Sequence, residues 1–144
     1  MSIILLIAAT LAAAVFAARA GGPAERASAW LMLAAEAAYL LLAMLIGRLN
    51  TAFVTDGVMF VGLCAIFIRW RAPWVLSALA VRLCAFALHW LIFTSPDDTA
   101  YHAIAASSIP AFLTVACLVA GVVEHARSRR AQDMLTRAAT PVQP

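Results

Sequence analysis

The sequence predicts an all-α, polytopic integral membrane bundle of about five transmembrane helices, with the N-terminus outside and the C-terminus inside. Three observations lead there. The chain is 65% apolar and only 12% charged, with a mean hydropathy of +0.96, whereas a soluble domain is about half apolar and a quarter charged. Its apolar runs have the length that a hydrocarbon core of about 30 Å requires of a helix. Short polar segments rich in Gly and Pro separate them, which makes successive helices antiparallel neighbours.

The first run covers residues 2–18 and is followed by a breaker segment, residues 19–29, with Gly21, Gly22 and Pro23. Ala18-Arg19-Ala20 resembles the small-x-small site at which secretory signals are cut. Against cleavage stand the lack of a basic residue ahead of the run, a run longer than a signal core, and the regular arginine pattern that its removal would disturb. The segment is therefore expected to stay on the chain. The second run, residues 30–47, contains Glu36 and ends at a link spanning 48–52. The third, residues 53–68, is the shortest and contains Asp56; a link at 69–73 leads to the fourth, residues 74–93, with Arg82 and His89. Pro96, Asp97 and Asp98 lie in the next link, residues 94–100. The fifth run, residues 101–123, begins with Tyr101 and His102 and contains Pro110. Proline removes a backbone donor inside a helix, so a kink is expected near Ala106, with Ser107 and Ser108 available to the freed carbonyls. Residues 1–125 thus form the bundle and residues 126–144 a basic cytoplasmic tail, amphipathic at its start and disordered over its last residues, 139–144, where two prolines fall.

Orientation follows from arginine, which accumulates in short cytoplasmic loops. With the tail inside, Arg19, Arg26, Arg69, Arg71, Arg127, Arg129, Arg130 and Arg137 are cytoplasmic, and among loop arginines only Arg48 is outside. Trp30, Trp70 and Trp74 then fall at inner ends and Trp90 and Tyr101 at outer ones, as expected of aromatic rings at headgroup level. The membrane is of the bacterial inner type. All ten basic residues are arginines that flank apolar runs, which points to the lipid bilayer as partner and gives no nucleic-acid stripe.

No phosphate-binding glycine loop, dinucleotide fingerprint, zinc-protease helix or nucleophile elbow occurs, so no enzyme and no cofactor is predicted. Cys64, Cys84 and Cys117 have no CxxC spacing and read as small buried apolar residues. The chemistry rests on ionisable groups at membrane depth, each costing from about 2.5 kcal/mol upward to insert. Glu36 and Arg82 lie at similar depths in parallel helices, and the pair is expected either to orient two helices or to line a pore. Asp56, His89 and His102 are expected to converge near the outer surface, as a hydrogen-bond cluster, a proton relay or a divalent-metal site; no metal is assigned. Four-residue spacings of small residues, Ala8 with Ala12, Ala9 with Ala13 and Ala17, Ala116 with Ala120, and Cys117 with Gly121, are seams for close helix approach within one chain or between copies.

The pattern Asn50, Asp56, Arg69-Trp70-Arg71-Ala72-Pro73-Trp74 and His89-Trp90 resembles small uncharacterised polytopic membrane proteins of phage and prophage genomes, over residues 30–93. The resemblance implies a holin-like or infection-related membrane role. Small-residue seams and charges at depth then predict a homo-oligomer that contributes to a membrane pore. The alternatives are a noncatalytic anchor or assembly subunit of a membrane complex, binding a cytoplasmic partner or lipid through Arg127, Arg129, Arg130 and Arg137, and a proton or divalent-metal transporter.

Overall fold

The computed structural model describes the backbone of residues 3–46, 48–94 and 100–139, and the side chains of residues 4–46, 50–90 and 109–136. Five helices follow one another: α1 (Ile3–Ala20), α2 (Pro23–Ile46), α3 (Arg48–Trp70), α4 (Pro73–Thr94) and α5 (Ala100–Ala139). α2, α3, α4 and α5 are each long and apolar enough to cross a membrane, and α1 is a shorter apolar helix. Each helix packs against the next, and α1 packs against α5, so the bundle closes into a ring that α2 and α5 also bridge across the middle.

The turns explain the boundaries. Gly21 N–H donates to the Ala17 carbonyl at 2.9 Å, and Gly22 accepts from Arg26 N–H at 3.1 Å. Pro23 sits at the first helical position, where its missing N–H costs nothing. A Cβ on Gly21 would lie 2.6 Å from the Ala17 oxygen, so this hairpin needs glycine. Between α3 and α4 the reversal falls on Arg71, in the left-handed region with φ 50; its N–H donates to the Phe67 carbonyl at 2.7 Å and closes α3, before Pro73 opens α4. Asn50 Nδ2 donates to the Ile46 carbonyl at 2.9 Å, covering one acceptor that the end of α2 leaves without a helical donor.

Three boundaries differ from the sequence expectation. α2 begins at Pro23 rather than residue 30, and α3 at Arg48 rather than 53, which makes the 18-residue α1 the shortest helix described, not the third. α5 continues through Pro110 and past residue 123 to Ala139, 40 residues in all, or about 60 Å at 1.5 Å per residue. Hydropathy locates the apolar centre of a helix, but a backbone ladder continues into polar sequence wherever the residues are good helix formers, as Ala, Arg, Gln, Met and Leu are. Residues 126–139 of the expected tail are thus an extension of α5, and residues 140–144 lie outside the described residues.

Which residues are inside is also informative. Ala13, Ala17, Ser28, Ala29, Ala78 and Ala85 are buried, as are Asp56, Arg82 and His89, while Leu41, Met44, Leu45 and Ile68 are exposed. A solvent of lipid tails gives no reason to hide leucine, and close backbone approach with polar contacts inside is how helices associate there. The fold is that of a multi-pass helical membrane protein.

Candidate functional site

Asp56 lies on α3, and Arg82 and His89 lie seven residues apart on antiparallel α4, two turns of one face. That spacing sets the two cationic-type side chains above and below one carboxylate. Arg82 Nη1 donates to Asp56 Oδ1 at 2.8 Å. His89 Nδ1 lies 2.7 Å from Asp56 Oδ2; an ionised carboxylate only accepts, so the proton of this contact sits on Nδ1 and Nε2 is the nitrogen left to exchange with its surroundings. All three residues are buried, at 5% (Asp56), 8% (Arg82) and 5% (His89) exposure. Phe53 stacks on Phe86 with ring centroids 4.5 Å apart and meets Trp90 at 6.1 Å, one and two turns along the same two helices. An open apolar groove runs beside this stack, lined by Phe53, Val54, Gly57, Val58, Val61 and Phe86.

Arg82 takes Asp56, not Glu36, as its direct partner. The sequence expectation placed Asp56 only three residues into its helix; because α3 begins at Arg48, the carboxylate is eight residues in, more than one turn deeper. Glu36 is nonetheless close in depth. Gly62 of α3 packs on Leu31 of α2, and in this antiparallel hairpin five residues onward from Leu31 meet five residues back from Gly62, which sets Glu36 level with Gly57. Glu36 is half-buried. The Arg82 Nε–H is buried and has no hydrogen-bond acceptor among the described residues. The expected outer cluster therefore keeps Asp56 with His89 and gains Arg82, while the side chain of His102 lies outside the described residues.

At the arginine-rich end, sequence reading missed a second polar contact. Glu25, in the first turn of α2, accepts the Trp74 indole N–H at 2.9 Å, and the contact is buried. Gly22 and Gly121 make room for it: a Cβ on Gly22 would lie 2.9 Å from Glu25 Oε2 and 2.8 Å from the His125 ring, and one on Gly121 would lie 2.6 Å from the Trp74 ring. The available signal was a carboxylate three residues past a Gly-Pro helix start, where the positive end of the helix dipole favours it. Arg19, Arg26, Arg69, Arg71, Arg127, Arg129 and Arg130 are exposed, and the side chain of Arg137 lies outside the described residues. Cys84 is exposed and Cys64 and Cys117 are half-buried, so the expectation of three buried thiols is corrected: these positions face lipid or helix seams, where a thiol serves as a small apolar group.

Among the described residues no three His, Cys, Asp or Glu side chains gather to hold a metal ion. The guanidinium on Asp56 also occupies the position a cation would take. No protein-family profile, curated protein or solved structure matches the chain.

Proposed function

We propose that this integral membrane protein moves protons, with Asp56, Arg82 and His89 as the proton-binding element, and that it sits N-terminus out and C-terminus in. The observation that carries this reading is one buried carboxylate held between a guanidinium and an imidazole. Imidazole binds and releases protons more readily than any other side chain near neutrality, and ionisable groups at membrane depth are retained chiefly where they pair or line a path for ions. Protonating the carboxylate would free both of its donors, so proton binding is coupled to contacts between α3 and α4. The test is purified protein in liposomes containing a pH-sensitive dye, under an imposed proton gradient. Flux above that of empty vesicles, lost in Asp56→Asn and in His89→Ala, is expected; flux equal to empty vesicles, or unchanged in both variants, overturns the reading.

A second reading, an oligomeric pore, is favoured by how the small-residue seams divide. Ala13, Ala17 and Gly121 are buried within the bundle, whereas Ala8, Ala12, Ala116 and Ala120 remain exposed and are free to meet another copy. Dye leakage together with a defined oligomer in nanodiscs, both lost in Ala12→Leu, would support it. The assembly-subunit reading rests on the exposed extension of α5, and a stoichiometric partner lost on deletion of residues 126–144 would support that. The phage-associated role rests on the resemblance alone.

A further inference from the structure

We propose that Glu25 and His125 form a proton-binding site of their own at the arginine-rich end of the bundle, where protonation of the imidazole latches α5 onto the turn between α1 and α2. Two glycines bring these residues together. A Cβ on Gly22 would lie 2.9 Å from Glu25 Oε2, 2.8 Å from His125 Cε1 and 3.1 Å from His125 Nδ1, so carboxylate and imidazole border one small space that glycine leaves open. Gly121, one turn before His125 on α5, packs on Trp74, whose indole N–H holds Glu25 Oε1 at 2.9 Å. The other carboxylate oxygen is the one turned toward Gly22 and the imidazole.

Glu25 is 5% exposed and His125 is half-buried, so one partner is fixed while the other is within reach of water. Among the described residues the ion pairs are those of Asp56 with Arg82 and His89; Glu25 and His125 are neighbours whose contact is still open. An imidazolium donates from both ring nitrogens and makes a charge-assisted bond to a carboxylate, which a neutral imidazole cannot match. Imidazole takes up that proton between about pH 5 and 8. The other charged groups at this end are Arg19 of α1, Arg26 of α2, Arg69 and Arg71 ahead of α4, and Glu124, Arg127 and Arg129 of α5, all exposed; α4 itself brings no charge before Arg82. Exposed charges are weakened by water and salt, which leaves buried Glu25 as the counter-charge that an imidazolium on His125 meets. Closing the contact ties the first turn of α2 and, through Trp74, the start of α4 to the root of the α5 extension. Arg127 and Arg129 then stand on a fixed base at acid pH and on a looser one at alkaline pH.

The test is a double-mutant cycle on the full chain, with Glu25→Gln, His125→Gln and both together, followed by reversible unfolding in mixed micelles at about pH 5 and about pH 8. Glutamine keeps an acceptor for the Trp74 indole and removes only the charge. A coupling of about fivefold in the unfolding equilibrium constant is expected at the acid pH, the scale of a partly exposed ion pair, with none at the alkaline pH. Equal coupling at both, or none at either, overturns the latch. Should Glu25→Gln fail to fold, His125→Gln alone decides: it should destabilise about fivefold more at the acid pH than at the alkaline one, and an equal effect at both overturns the proposal. The cycle leaves Asp56 untouched and reads no proton flux, so failure of the latch and failure of the proton-transport reading are separate results.

Discussion

Among its described residues the protein buries two carboxylates with direct side-chain donors, Asp56 and Glu25, and it treats them differently. Asp56, deep in α3, takes an arginine and a histidine; Glu25, at the arginine-rich end, takes one neutral indole N–H. Near the headgroups a carboxylate has the helix dipole and water close by, and a single donor suffices. At mid-depth neither is at hand, so the same group needs a full counter-charge. Depth, more than residue type, decides how much counter-charge each carboxylate takes.

The contrast can be broken most severely at Asp56. Asp56→Ala leaves Arg82 buried without its anion and is expected to cost about 3–5 kcal/mol, the penalty of breaking a buried pair by removing one partner, measured by reversible unfolding in mixed micelles. At the other site Glu25→Ala should cost less, about 1.5–3 kcal/mol, the worth of a hydrogen bond to a charged group. An equal loss at both sites would mean that depth does not separate them. Glycine sharpens the same comparison. Gly121→Ala drives a methyl into the rigid Trp74 indole and should cost about 1–3 kcal/mol as overpacking. Gly62→Ala meets only the flexible end of Leu31 and should cost less by the same measurement. The smallest effect belongs to the turn. Arg71→Gly removes side-chain strain at φ 50 but enlarges the freedom of the unfolded chain, and should change the midpoint of unfolding little.

Much of this was legible in the sequence. Helix number, order and antiparallel succession follow from apolar runs and breaker links, and of the ionisable residues expected at depth the fold buries Asp56, Arg82 and His89 and leaves Glu36 half-buried. Pairing was less legible, because it depends on register. Moving the start of α3 from residue 53 to Arg48 carries Asp56 down to the level of Arg82, and the expected Glu36 contact gives way to the one with Asp56. Glu25 was missed for a related reason. It lies in a segment marked as a link by Gly21, Gly22 and Pro23, yet those residues are a single tight turn and the helix has already begun. Arg127, Arg129 and Arg130 are exposed, while the helical continuity beneath them has no hydropathy signal.

The contact between α1 and α5 also bears on biogenesis. Helices are made in order, and α1 has one neighbour that follows it at once and another that emerges last. Until α5 is synthesised the chain is an open crescent, with one flank of α1 and one of α4 facing lipid or the insertion machinery. The final helix closes it from both sides. Nascent chains that stop before Ala100 are therefore expected to be easier targets for membrane quality control than the full chain, whatever residues they carry.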